Sequence, residues 1–334
     1  MRLVQLLHKD YGRKVAIVIE PKIVLLNKYT SVYDIALAAI EKKTGITALT
    51  QNHISNEGLD YEAIYKGESE WKLLPSFDHP TDVTKVMLAG TGLTHKSSAE
   101  NRQKMHNAET ENAMTDSMKM YLMGVKGGHP KSGSIGIQPE WFYKGNGSVL
   151  KAHNEALSIP SYGNDGGEEP EVAGVYVIDT NGKPWRIGFT PCNEFSDHVM
   201  ERKNYLYLAP SKIRNCSVGP ELVVTNDFKD ISGKVSILRD GDLHWEQTIK
   251  TGEDNMSHSL ANLEYHHFKY ENHCIPGTAH IHFFGADAFS FGEQITLKHN
   301  DTMIVEWIGM GRPIINKLYN VRAEEKGIDM GVLK

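Results

Sequence analysis

Glu169-Pro170-Glu171-Val172-Ala173-Gly174-Val175-Tyr176-Val177-Ile178 is the stretch on which the fold turns. Its apolar, β-branched run from Val172 to Ile178 reads as a strand, with the two glutamates opening it. Alternate strand residues point the same way, so Glu169 and Glu171 project side by side from one face. Two parallel carboxylates repel unless something positive sits between them. Hard oxygen ligands suit Mg²⁺, Mn²⁺ or Ca²⁺, and an acidic trio from two neighbouring strands is a common way to hold a catalytic Mg²⁺. An isolated E-x-E is more often an ordinary solvated pair, so the surroundings decide. Asn193-Glu194 and Lys212 follow downstream.

Bulk properties narrow the classes. The 334 residues suffice for one large domain plus a smaller one. A net charge of −6 argues against a nucleic-acid partner, because phosphate binding needs a basic surface. No window reaches the roughly 18 uninterrupted apolar residues of a membrane span. The apolar run at the N-terminus is cut by His8, Lys9 and Asp10, so no secretory segment is expected. Cys192, Cys216 and Cys274 form no CxxC, which argues against a disulfide framework or a zinc site. A cytoplasmic, reduced protein is expected.

Residues 1–88 read as a small α+β domain and residues 89–334 as a catalytic domain, the whole being mixed α+β and mainly β. In the first unit, Val15–Ile19 is a strand, and Ser31-Val32-Tyr33-Asp34 is a capping box opening a helix. A strand-like run over Lys85–Ala89 ends at Gly90-Thr91-Gly92. From Thr94 to Lys131 the chain is polar, methionine-rich and helical in pattern, stopped by Gly127-Gly128-His129-Pro130. Beyond Trp141, short strands alternate with Gly, Pro, Asn and Asp turns, which suggests a large β body.

Further segments flank the acidic strand in a fixed order. Pro139-Glu140-Trp141-Phe142-Tyr143-Lys144-Gly145 precedes it. Asn193-Glu194-Phe195-Ser196, Ser211-Lys212, Gly219-Pro220, Ile275-Pro276-Gly277 and Ile308-Gly309-Met310-Gly311 follow. This order resembles the fumarylacetoacetate hydrolase superfamily, with its P-x-F-x-K, E-x-E-L-A, N-D-x-S, K-S-F and G-P segments, and within it a bacterial branch acting on 2-keto-3-deoxy sugar acids. The likeness spans about residues 90–318. It implies a fumarylacetoacetate-hydrolase-like β-roll, ordinarily a homodimer. It also implies Glu169, Glu171 and Glu194 as ligands of Mg²⁺ or Mn²⁺, and Lys212 as the catalytic, substrate-facing cation. Glu194 stands where the family has Asp, so the site must be reshaped by one methylene, with Asp197 as a fallback ligand.

A second departure bears on the reaction. Where the hydrolases carry N-Y-x-x-H-x-x-E, this chain places Ser98 on the histidine and Asn101 on the glutamate that together activate water. Serine cannot take a proton near pH 7. His95 and His106, on the same segment, are the candidate replacements for the base. Lys144, Ser98, His282 and Arg214 are candidate substrate contacts, Arg214 through a bidentate grip on a carboxylate. His280 and His282 share one face of a strand pattern, whereas His266, His267 and His273 lie on a polar stretch and are expected to be solvated.

The resemblance, taken with these residue types, implies a metal-dependent lyase that dehydrates a 2-keto-3-deoxy sugar acid, pentonate-like, through a metal-stabilised enolate. The small-molecule 2-oxo sugar acid is the expected partner, with no nucleic acid and no membrane. Dehydration needs no activated water, so the missing dyad favours it. Two alternatives stand beside it: a C–C bond hydrolase of a 2,4-diketo-3-deoxy sugar acid with a relocated base, and a non-catalytic sugar-acid-binding protein.

Overall fold

The computed structural model describes residues 1–106, 114–321 and 323–333, except the side chains of 105 and 106. The chain is mixed α+β and mainly strand, built on a 13-stranded sheet and a five-stranded sheet among the described residues. The acidic strand Pro170–Ile178 lies inside the larger sheet, between Pro184–Asn193 and Ala279–Phe283, and both pairings are antiparallel. Both its faces are covered, which explains an apolar run without polar alternation. Ala173, Val175 and Val177 pack towards helices Val32–Glu41 and Ile46–Gln51. Val172 joins Phe189 and Phe284 against Val235, Ile237, Val305 and Trp307 of the second sheet. Ser31 caps the first of those helices, accepting from the Asp34 N–H at 3.0 Å, as its sequence pattern requires.

The polar segment after Thr94 forms helices Lys96–His106 and Asp116–Gly127. The β body also contains helices, and one of them, Leu208–Lys212, carries a site residue. No described helix is long and apolar enough to cross a membrane.

The histidines depart most from expectation. His266 and His267 lie in helix Leu260–Phe268, and both are buried, as is His273. The His267 ring stacks on His282 with centroids 4.4 Å apart, hydrogen-bonds His280 across 3.0 Å and receives the Trp141 indole N–H at 3.1 Å. The polar look of the stretch conceals an imidazole face turned inward. Burial depresses all three rings, His280 and His282 to about 3 and His267 well below its ordinary value. The unfolded chain titrates near 6.5, so between there and the folded values it binds protons the folded protein does not. Stability is therefore full above about pH 6.5 and falls as pH drops, by at most about 1.4 kcal/mol per pH unit for each ring. Urea midpoints measured from pH 7.5 to 5 should fall steadily, and a less steep fall is expected for His280→Gln. Equal slopes in the two proteins would contradict this account.

Candidate active site

The hairpin brings the carboxylates together. Pro170 pairs with Asn193 and Glu171 with Cys192, so the start of one strand meets the end of the other. Continuing that register sets Glu169 beside Glu194, and the Glu194 N–H donates to the Glu169 carbonyl at 2.9 Å. Paired residues of an antiparallel ladder share a face, so all three glutamates project to the same side. Each offers an oxygen within 4.8 Å of the others, and all three are buried. Asn193 braces the turn by accepting from the Glu169 and Phe195 N–H groups.

Two lysines enter this cluster. Lys212 Nζ donates to Glu169 Oε1 at 2.5 Å, to Glu194 Oε2 at 2.7 Å and to Ser196 Oγ at 3.0 Å, and it lies 4.8 Å from the Phe142 ring centre. Lys144, fully buried, lies 2.7 Å from Glu194 Oε1 and donates to the carbonyls of Glu194 and Phe195. It thus fixes the Glu194 turn. Among the described residues no lysine touches Glu171; its carboxylate accepts the Gly285 N–H at 2.7 Å, and its carbonyl accepts the Trp307 indole N–H at 2.9 Å.

The electrostatics follow from this arrangement. Burial pushes Glu171 well up, and the neighbouring Glu194 and Glu169 push it further. Burial also raises Glu194, against the pull of Lys144 and Lys212. For Glu169 burial is outweighed by Lys212 and His198, which hold it well below the usual carboxylate range. Lys212 is raised, the desolvation cost being overcome by Glu169 and Glu194, so it stays an ammonium. Glu171 is thus the buried carboxyl of the three with no cationic side chain in contact among the described residues. An octahedral cation about 2.1 Å from each oxygen sets neighbouring donors about 3 Å apart and opposite ones about 4.2 Å apart, spacings inside the 4.8 Å that bounds this cluster. The donor set fits a divalent cation bound by hard oxygen ligands.

The other sequence candidates fall elsewhere. Arg214 donates to Asp197 Oδ2 at 2.8 Å and to the Asp165 carbonyl at 2.6 Å, so its fork is engaged within the protein. Asp197, the fallback ligand, is held by that pair and caps helix His198–Lys203 through the Met200 N–H, outside the cluster. His282 pairs with Gly174 in the ladder and so projects from the face opposite Glu171; it bonds Thr91 Oγ1 across 2.8 Å. A packed strand histidine replaces the expected substrate contact. His95 is buried beside Thr94 Oγ1, depressed by burial to about 4. Ser98 lies on the buried face of helix Lys96–His106, and the His106 side chain lies outside the described residues.

Three residues escaped the sequence reading. His198 hydrogen-bonds Glu169 Oε1 across 3.1 Å and stacks on Phe289, centroids 4.6 Å apart with the planes 2° from parallel. Glu168 accepts from the Ser290 N–H and hydroxyl, tying the turn Ser290–Glu293 to the first ligand position. Glu140 receives Arg102 Nη1 at 2.7 Å, while its Oε2 is buried with no hydrogen-bond partner among the described residues. The signals were present, since Glu140 lies in the Pro139–Gly145 motif and His198 two residues past Ser196.

No family model matches the chain. Over 122 residues it is 31% identical to the 2-dehydro-3-deoxy-D-arabinonate dehydratase of Saccharolobus solfataricus, a stretch covering 35% of this chain and 40% of that protein. Over 121 residues it is 28% identical to a Haloferax volcanii protein named "Probable 2-keto-3-deoxyxylonate dehydratase", with the same coverage. The match thus spans about 40% of the length of these curated relatives. Among solved structures, a 2-keto-3-deoxyarabinonate dehydratase superposes with a TM-score of 0.72 at 19% identity, covering 97% of this chain and 100% of that one. A 2-keto-3-deoxy-D-arabinonate dehydratase complexed with magnesium and 2,5-dioxopentanoate gives 0.70, at the same identity and coverage. The 5-carboxymethyl-2-hydroxymuconate delta-isomerase of Mycobacterium smegmatis gives 0.57 at 13% identity, covering 96% and 99%. The chain has the fumarylacetoacetate-hydrolase fold shared by these dehydratases and isomerases. The fold expected from the order of the motifs is the fold found.

Proposed function

We propose that the protein is a Mg²⁺-dependent lyase that removes water from a 2-keto-3-deoxy sugar acid, a pentonate in the first instance, to give a dioxo acid. The observation that carries this reading is the buried Glu169–Glu171–Glu194 cluster with Lys212 set into it. The dehydratase names of the partial relatives and the magnesium complex of the structural neighbour support it. Ser98 and Asn101 in place of the water-activating dyad favour dehydration over C–C hydrolysis.

In this reading Glu169, Glu171 and Glu194 hold the cation, and Lys144 and His198 orient two of them. Bound there, a divalent ion supplies Lewis-acid polarisation of a 2-oxo acid, which makes a C3 proton removable. Lys212 sets a fixed ammonium beside the developing oxyanion. Glu140 moves the proton. Burial raises its affinity for one, against the pull of Arg102, and it lies close enough to Lys212 to feel that charge. It takes the proton from C3 and returns it to the hydroxide leaving C4, so one proton and one hydroxide depart as water. Ser98, on the face of its helix that also carries Arg102, is the candidate contact for a substrate hydroxyl. Glu140→Gln should lower kcat by roughly 10²- to 10⁴-fold with metal affinity unchanged, as seen in steady-state rates and Mn²⁺ titration. A fully active variant would remove Glu140 from the mechanism.

The division at residues 88 and 89 and the homodimer belong to the same proposal. Leu122, Met123, Val125, Tyr205, Leu206 and Tyr207 are all exposed and support the dimer. Incubation of the protein with Mg²⁺ and 2-keto-3-deoxypentonates, followed by NMR, tests the reaction. A dioxo acid is expected; pyruvate release would reject dehydration in favour of C–C cleavage.

A further inference from the structure

Helix Lys96–His106 has lost the residues that activate water in the hydrolases, yet it still sends a charge inward. Arg102 is buried on the face that carries Ser98 and Ala99. Its guanidinium reaches two elements at once: Nη1 donates to Glu140 Oε1 at 2.7 Å, and Nε lies 2.6 Å from Glu201 Oε1 on helix His198–Lys203. Glu201 is buried as well. The free oxygen of Glu140 lies against Gly92, where an added Cβ would come within 1.9 Å of Oε2. Glu140 is thus gripped on Oε1, while the bare Cα of Gly92 leaves room for Oε2. The planar guanidinium offers each carboxylate its own N–H in a fixed fork, an orientation that a lysine's rotatable ammonium does not impose.

We propose that Arg102 is a positioning residue for Glu140: anchored on Glu201, it holds Glu140 Oε1 so that Oε2 stays aimed for proton transfer. The inference rests on the proposed lyase reading, and it gives the helix a role in place of the missing dyad. The charged groups facing Glu140 are Arg102, Glu201 and Lys212. Of these, Arg102 lowers the proton affinity of Glu140 most, so weakening its contact should move the Glu140 titration upward.

The test compares wild type, Arg102→Lys and Arg102→Met in kcat, KM, pH profile and Mn²⁺ affinity. Loss of orientation is expected to lower kcat about 10²-fold in Arg102→Lys, with KM within a few fold and Mn²⁺ affinity unchanged. The pH limb assigned by Glu140→Gln should shift upward in both variants, and added guanidinium should restore part of the rate in Arg102→Met. A fall in thermal stability with an unshifted limb and no rescue would make Arg102 a structural staple and overturn the inference. The Glu140 carboxyl can also be followed without turnover, by ¹³C NMR of glutamate-labelled protein assigned with Glu140→Gln. An inactive wild type would reject the lyase reading, whereas a Glu140 titration unchanged between wild type and Arg102→Met would reject the pairing itself.

Discussion

Glu171→Gln should lose turnover by roughly 10³-fold or more while the metal-free protein stays as stable as wild type, or gains stability. The two effects share one cause. Glu171 is buried with Glu169 and Glu194 on the same strand face, and it lacks the lysine that each of those has. Burial and like charge drive it towards its protonated form, which glutamine imitates in shape and charge. In the metal-free state the substitution therefore removes only repulsion. In the metal-bound state of the proposed lyase it would remove one of three charged ligands, and with it the several kcal/mol that a Lewis acid contributes to the transition state, at about 1.4 kcal/mol per tenfold in rate. Thermal unfolding with and without Mg²⁺ makes the distinction. Wild type should gain melting temperature on adding the ion and the variant should not. A variant that keeps both activity and the Mg²⁺-induced shift would dismantle the metal assignment.

Lys212→Met should act in the opposite sense on the resting protein. Lys212 Nζ bridges Glu169 and Glu194, and all three groups are buried. Removing one partner of a buried ionic set leaves the others uncompensated, which costs about 3–5 kcal/mol. The metal-free variant should therefore melt well below wild type, and Mg²⁺ should recover more stability in it than in wild type, because the ion replaces the missing charge. Turnover should remain lost, since the ion cannot also supply the ammonium beside the reacting oxygen. A Lys212→Met protein as stable as wild type in EDTA would mean that the bridge does not hold the cluster.

The hairpin that makes the site was legible because three signals coincide in it. Two glutamates open an apolar run, a continuous run marks a strand covered on both faces, and Asn193-Glu194 ends the next strand. Antiparallel pairing of two such strands forces the carboxylates together, and the ordered motifs identified the fold around them. The supports were not legible, because each joins residues far apart in sequence. Lys144 reads as a candidate substrate contact, and its ammonium is taken up by the carbonyls of Glu194 and Phe195. Arg214 reads as a carboxylate grip for substrate, and its carboxylate is Asp197. Strand Asp242–Thr251 is mostly exposed and polar, so neither periodicity nor apolar content marks it. His267 and His273 look solvated in a polar stretch and are buried because other histidines, stacked or hydrogen-bonded, supply their partners.

Once loaded with a divalent ion, the proposed carboxylate site should make the C3 proton of a 2-oxo acid removable. This is tested most directly by ¹H NMR of 2-oxobutyrate in D₂O, a 2-oxo acid with no C4 hydroxyl to lose, incubated with the protein. Loss of the C3 proton signal is expected that requires Mg²⁺, stops with EDTA and is absent in Glu171→Gln. Exchange no faster than the protein-free control, or exchange that continues in EDTA, would contradict it.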